Sequence, residues 1–298
     1  MSRRLGWALS LLATGCATTG QSVTPTFTYA PPPGSHWVRT VKIVTETTLP
    51  GSTYRQLVER ELVWNIGVSK EGDNTLVTQQ LQRLAIRVNG LDLIDGERMP
   101  GTNLSVNLVV DRSAHVVEVR GAEDAARLLN GLVRPVSGGD PGDQMFTLDA
   151  VKEIAVARFE MVVRDVVGHP TAPGSTWDVQ PDDPAVQKKT LAVDKLEPCG
   201  AATCARVSTQ YVVDPKRAAR RAMRSAALFL ARNGVNPAQA EVQSATLDYK
   251  DEIVVEPSTL IDHFGTFSQT AKVRFVGASG QPIPVEFRTA LEQSSAFP

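Results

Sequence analysis

The residues best suited to chemistry are scattered along this chain. Of its four histidines, only His263 has an acid beside it, Asp262, and the others are His36, His115 and His169. The sequence contains no Gly-x-Ser-x-Gly elbow, no His-Glu-x-x-His helix and no phosphate-binding loop. Nucleophilic, metal and nucleotide chemistry therefore lack their usual local signatures. We expect a protein with no catalytic residues, no metal site and no cofactor.

Two of the three cysteines are close together in the sequence. Cys199 and Cys204 lie in the segment Pro-Cys-Gly-Ala-Ala-Thr-Cys, between two predicted strands and so at the tip of a hairpin. In an oxidising compartment, neighbouring cysteines most simply form a disulfide. Metal binding is the alternative, but it needs two further ligands, and no histidine or cysteine pair has a suitable spacing. We therefore predict a disulfide that stabilises the hairpin locally.

A basic surface is the third chemical feature. A helix is predicted after Asp214, which is placed to cap it, with Pro215 in the first turn and an Asn-Gly stop at 233–234. Four arginines fall opposite its apolar stripe: Arg217, Arg220, Arg221 and Arg224. Such a face could bind anionic head groups. The alternative is an ordinary solvated face that neighbouring carboxylates neutralise.

The N-terminus has the architecture of an export signal. Arg3 and Arg4 precede an apolar stretch from Leu5 to Ala13, which ends shortly before Cys16. The stretch falls far short of the ~20 residues that a membrane-spanning helix needs, so we predict a cleaved signal. An ordinary secretory signal that leaves an incidental cysteine is the alternative to a lipoprotein signal.

The run Leu-Ala-Thr-Gly-Cys at 12–16 resembles the lipobox of bacterial lipoproteins, although Ala13 stands where leucine is commonest. The resemblance implies that Cys16 becomes the first residue and carries lipid on its thiol. Several acyl chains give a stable anchor, because each buried CH₂ contributes ~0.8 kcal/mol. Ala17 follows, rather than the aspartate of an inner-membrane retention signal, so the resemblance favours the outer membrane, facing the periplasm.

Length and composition fit a folded, exported protein. The 298 residues are 42% hydrophobic and 21% charged, and the formal net charge is −1. No strong field draws such a protein to nucleic acid, so we expect no nucleic-acid partner. Residues 16–35 are rich in Thr, Ser, Gly and Pro and are predicted to form a flexible tether between the membrane and the folded part.

A repeated phrase organises the rest of the chain. Pro-Gly-Ser-His-Trp at 33–37 and Pro-Gly-Ser-Thr-Trp at 173–177 each combine a turn signal with the start of a strand. Alternating stretches follow each copy: 38–48, 60–69, 75–88, 104–111 and 115–120, then 187–196, 205–213, 240–255, 270–276 and 283–291. Helices are predicted at 123–133, at 147–167 and after Asp214.

These patterns predict an α+β protein, mainly antiparallel β-sheet, with about three packed helices. The strands form either one curved sheet or two similar β-rich lobes. The predicted segments are a signal peptide at 1–15, the anchor and tether at 16–35, a first β-rich unit with two helices at 36–167, and a second with the amphipathic helix at 168–298. The repeat suggests two copies of one unit.

The phrase ending in Pro-Gly-Ser-Thr-Trp at 170–177, with hairpins such as Val106–Gly121, resembles a pattern in uncharacterised bacterial envelope lipoproteins. At the level of fold alone, the pattern is similar to the open half-barrel of periplasmic lipoprotein carriers. These resemblances imply a non-catalytic envelope lipoprotein whose curved sheet binds an apolar ligand or a partner protein. A structural or assembly subunit is the alternative, and an unrecognised hydrolase is the third.

Overall fold

The computed structural model describes residues 24–94, 104–132, 147–221, 223, 241–276 and 280–298. Twelve β-strands lie within these ranges. They are β1 His36–Thr48, β2 Arg55–Glu71, β3 Asn74–Val88, β4 Leu91–Ile94, β5 Leu104–Val110, β6 Val116–Arg120, β7 Thr176–Val179, β8 Val186–Cys199, β9 Ala202–Val213, β10 Glu241–Val255, β11 Asp262–Val276 and β12 Pro282–Ala296. Helices α1 Ala122–Leu132 and α2 Leu148–Val163 separate β6 from β7.

All twelve strands belong to one antiparallel sheet. Its order is β6-β5-β3-β2-β1-β12-β11-β10-β9-β8-β7, with β4 paired to β3. The first and last strands of the chain, β1 and β12, pair from Val38 opposite Ala296 to Thr48 opposite Glu286. This central pairing joins the strands of the two predicted units, so they form one open sheet rather than two lobes. The fold is mostly β, with the helices packed on the sheet.

The sheet curves around its helices. If it were flat, ten gaps of ~4.8 Å would separate the β6 and β7 edges by roughly 48 Å. Instead, one hydrophobic core contains side chains from both ends of the strand order, including Leu108 of β5, Val166 after α2 and Trp177 of β7. Helix α2 contacts β5 and β6, while the Trp177 indole donates a hydrogen bond to the Asp165 carbonyl at 2.7 Å. The inner face of the sheet therefore wraps around α2.

The described helices begin where the sequence predicts. Helix α1 covers residues 123–132 of the predicted 123–133, and residue 133 lies outside the described residues. Helix α2 ends at Val163, after which the predicted helical residues form turns. A third helix, α3, begins at Pro215 and is described at 215–221 and 223. The Asp214 carboxylate accepts hydrogen bonds from the amides of Lys216 at 2.8 Å and Arg217 at 3.1 Å, as a capping residue should. The predicted stop at 233–234 lies outside the described residues.

The predicted tether needs a correction. Phe27 is fully buried, with its ring centroid 6.1 Å from that of Trp177, and Tyr29 packs edge-on against Phe159 at 5.3 Å. The Phe27 amide donates to the His169 carbonyl at 2.8 Å, and the Thr28 amide donates to the Pro257 carbonyl, between β10 and β11, at 2.9 Å. The end of the 16–35 segment is thus part of the fold, because two aromatic side chains outweigh its polar average composition.

Several strand segments were not predicted, including the first five residues of β2 and the last five of β12. β4 is short and exposed, and β11 begins at Asp262, eight residues before the predicted start. The early part of β11 does not alternate cleanly between apolar and polar residues, since polar as well as apolar side chains from it face the interior.

Candidate functional site

An apolar cavity lies between the sheet and the two helices. Its volume is about 360 Å³, within the range of small-molecule sites, which starts near ~300 Å³. The sheet wall is formed by β1, β2, β3 and β5, and the helix wall by α1 and α2. The apolar lining residues are Ile43, Leu62, Trp64, Leu81, Leu84, Ile86, Leu104, Val106, Ala125, Leu129, Val151 and Ala155.

Local sequence explains both the wall and the space. On β2, the alternation of a strand places Arg60, Leu62 and Trp64 on the same, inward face. A register shift opposite Val63 and Trp64 lets β3 place both Leu81 and Leu84 inward, although a regular strand would turn one of them away. On the helix side, Ala125 and Ala155 are too small to fill the gap. Because two of the four helix residues that line the cavity are alanines, the helices do not fill the space beside the large side chains of the sheet.

Three polar groups interrupt this apolar lining: the side chains of Arg60 and Gln79 and the indole N–H of Trp64. Arg60 is half-buried and has no ion pair or hydrogen bond among the described residues. The indole N–H of Trp64 is buried and likewise has no acceptor among the described residues. A buried donor without an acceptor costs about 1–3 kcal/mol. The cavity therefore offers unmet donors as well as apolar surface.

The interior beneath β8–β12 is more polar. A small cavity of about 50 Å³ there is lined by Asp165, Lys189 and Asp251 among others. Lys189 forms an ion pair with Asp165, and Asp251 accepts a hydrogen bond from the Tyr211 hydroxyl at 3.1 Å. Burial raises the pKa of the Asp251 carboxyl, which favours its neutral form. These groups form two pairs, Lys189 with Asp165 and Tyr211 with Asp251, so their polar atoms are used within the packed interior.

A buried ion pair crosses the centre of the sheet. Arg39 of β1 donates to the Asp262 carboxylate of β11, and Gln293 of β12 donates to the other oxygen of the same carboxylate. The side chains of Arg39 and Asp262 are only 10% and 3% exposed. Since β12 lies between β1 and β11, this pair ties three neighbouring strands together.

The histidines are not brought together. His36 and His115 are exposed, and His169 stacks on Trp177 with ring centroids 4.7 Å apart, where burial lowers its pKa. His263 Nε2 lies 2.8 Å from a Glu256 carboxylate oxygen, rather than using the neighbouring Asp262. The sequence suggested an isolated His–Asp adjacency, and the structure replaces it with a His–Glu pair across a turn.

The predicted disulfide is confirmed. Cys199 and Cys204 are bonded, with Cα atoms 5.8 Å apart, at the tip of the β8–β9 hairpin. The structure adds a neighbour that the sequence did not indicate: a ring nitrogen of His263 and the two sulfur atoms all lie within 4.8 Å of one another. Because the disulfide bond occupies both sulfurs, they are not thiolates and do not ligate a metal as thiolates would.

The arginine face has carboxylates beside it. Arg217, Arg220 and Arg221 line a wide surface depression together with Asp182 and Asp183. Arg221 pairs with Asp183 and also donates to the Tyr249 hydroxyl at 2.8 Å. Arg217 contacts its own capping residue, Asp214 (3.5 Å), whereas Arg220 is exposed. Part of the predicted patch is thus neutralised, and anionic-surface binding stays a prediction. Arg224 lies outside the described residues.

The predicted anchor also falls outside the described part of the chain, since Cys16 precedes residue 24. Within the described ranges, every helix is too short or too polar to cross a lipid bilayer.

Neither a protein-family model nor a curated protein matches this sequence. Among solved structures, DynF of the dynemicin biosynthesis pathway of Micromonospora chersina is 7% identical, with 98% of this chain and 94% of that chain covered and a TM-score of 0.20. An outer membrane channel from Pseudomonas putida F1 is 9% identical, with 92% and 100% covered and a TM-score of 0.20. A DUF1329 family protein from Desulfovibrio piger is 8% identical, with 87% and 85% covered and a TM-score of 0.15. Likenesses this distant carry no conclusion about function.

Proposed function

We propose that this protein is a non-catalytic lipoprotein of the bacterial cell envelope that binds an apolar ligand inside its curved sheet. The observation that carries the proposal is the cavity of about 360 Å³ between the sheet and helices α1 and α2, whose lining is almost entirely apolar. A stable core normally closes such a space, because an apolar void forfeits packing contacts. A ligand with an apolar body would restore those contacts.

The predicted lipid anchor and the apolar cavity are consistent with the same function. The lipobox-like run ending at Cys16 would hold the protein at a membrane surface, and its sequence context favours the outer membrane facing the periplasm. Lipids and their breakdown products are the apolar molecules available there. A tethered protein with an internal apolar cavity is suited to holding such a molecule away from water.

Ligand binding is tested by native mass spectrometry of residues 17–298 purified from the exporting host. We expect a lipid-sized adduct, and we expect Ala155→Trp to remove most of it because the new indole fills the cavity from helix α2. Glu153→Trp is the matched control, since it adds the same side chain at an exposed position of the same helix. A clean ligand-free mass for the parent protein would contradict the proposal and favour the role of a structural subunit.

Anchoring is tested separately by growth with labelled palmitate. We expect label on the parent protein and none on Cys16→Ala, which should also leave the membrane fraction, because the acyl chains provide the attachment. The double variant Cys199→Ala/Cys204→Ala removes the other two cysteines and should keep the label. Label retained by Cys16→Ala would show that the anchor is elsewhere.

A further inference from the structure

The apolar cavity has a charged end. Along β2 its lining residues are Arg60, Leu62 and Trp64, so Arg60 marks one limit of the cavity on that strand. Its cross-strand neighbours are Ile43 on β1 and Ile86 on β3, which also line the cavity. Arg60 thus lies between two isoleucines at one end of the part of the cavity wall that β2 forms.

Most other charged side chains that face the inside of the sheet form ion pairs, whereas Arg60 forms none with the described residues. Arg39 is paired with Asp262, and Lys189 with Asp165. Among the described residues, no carboxylate lies within ion-pair distance of Arg60 and no acceptor within hydrogen-bond distance. A partly desolvated charge is costly unless it is paired, and guanidinium donors match carboxylate and phosphate oxygens well.

We propose that the cavity binds a long-chain amphiphile with an anionic head group, whose head pairs with Arg60 and whose chain lies along β2 towards Trp64. This inference rests on the proposed function and adds the chemical class of the ligand. Trp64, whose indole N–H is unpaired, lies four residues along the same face, which places its backbone roughly 14 Å from that of Arg60 at ~3.4 Å per residue. In this arrangement the head group is assigned to Arg60, and the chain, or a second oxygen on it, to Trp64.

The experiment measures the affinity of residues 17–298, which contain every described element, for three probes: hexadecanoate, hexadecyl phosphate and hexadecanol. They share one chain length and differ in the head group. We expect an anionic probe to bind about 10- to 100-fold more tightly than the alcohol, the range that a charge-assisted hydrogen bond gives. Whichever anion binds better identifies carboxylate or phosphate as the source of the charge.

Variants assign that difference to Arg60. Arg60→Met should bind all three probes equally, while Arg60→Lys should retain part of the preference for the anions because it keeps the charge. Arg55→Met is the matched control: it removes a cation from the same strand, where Arg55 is exposed and paired with Glu46, and should leave the preference intact. Circular dichroism checks that each variant keeps its β-sheet content.

The possible outcomes distinguish the assignment of the head group to Arg60 from the proposed binding of an apolar ligand. If the alcohol binds as tightly as the anions, or if Arg60→Met keeps the preference, the head-group assignment is overturned while apolar binding stands. An Arg60 side chain that merely reaches out to water would give that result. If none of the three probes binds, the proposed function itself fails.

Discussion

Replacing Asp262 by alanine is expected to lower the free energy of unfolding by about 3–5 kcal/mol, the usual cost of removing one partner of a buried ion pair. The loss is large because Arg39 would stay in the interior without its carboxylate, and Gln293 would lose an acceptor. Both charged side chains are almost completely enclosed, so water cannot replace the missing oxygen atoms. Urea unfolding followed by far-UV circular dichroism measures the change.

Two comparisons make this result specific. Asp73→Ala removes a carboxylate from an exposed pair with Arg112, in which both side chains are at least 75% accessible, and should cost no more than about 1 kcal/mol. The double variant Arg39→Met/Asp262→Leu removes both charges and should cost less than Asp262→Ala, because no buried charge is left unpaired. Equal effects for Asp262→Ala and Asp73→Ala would mean that the pair does not tie β1, β11 and β12 together.

Truncating Phe27 to alanine should destabilise the protein by about 3–5 kcal/mol, as expected for a fully buried phenylalanine. Its ring packs against Trp177 near the β7 edge of the sheet, and the backbone around it bonds to the turn at His169. Loss of the ring would therefore weaken the contact between the N-terminal segment and the core. Thermal and urea unfolding of residues 17–298 provide the measurement.

Phe297→Ala is the matched control for Phe27. Phe297 is 42% exposed near the C-terminus, where its ring contacts those of Trp37 and His263. Its truncation should cost about 1 kcal/mol, the scale of aromatic contacts without full burial. If Phe27→Ala costs no more than Phe297→Ala, the end of the 16–35 segment behaves as the predicted tether and is not part of the core.

The sequence predicted most of the local structure because the signals involved are local. Alternation of apolar and polar residues located β1, β3, β8 and β10 to within a few residues, and Asp214 with Pro215 located the start of α3. Two cysteines at a hairpin tip were enough to predict their bond. Each of these features depends on residues that are neighbours in the chain, so periodicity, capping and turn chemistry can report them.

The candidate site was less predictable. An apolar groove on a curved sheet was expected, but its location between β2, β3 and the two helices depends on a register shift in β3 and on two alanines that face the gap. Arg60 gave only a weak signal, since one arginine in an alternating strand closely resembles a solvated one. The one available clue was its position: in the alternation of β2, Arg60 shares a face with the apolar residues Leu62 and Trp64.

By itself the sequence determined the element types, the cap, the disulfide pairing and the prediction of a lipid anchor at Cys16. Only the tertiary structure decided that β1 pairs with β12 and that Phe27 belongs to the core. It also decided that Asp262 pairs with Arg39 rather than with His263, and that a cavity lies beside Arg60. The physical reason is distance along the chain. Arg39 and Asp262 are 223 residues apart, and whether a charge meets a partner or an apolar face meets a helix depends on how such distant segments pack together.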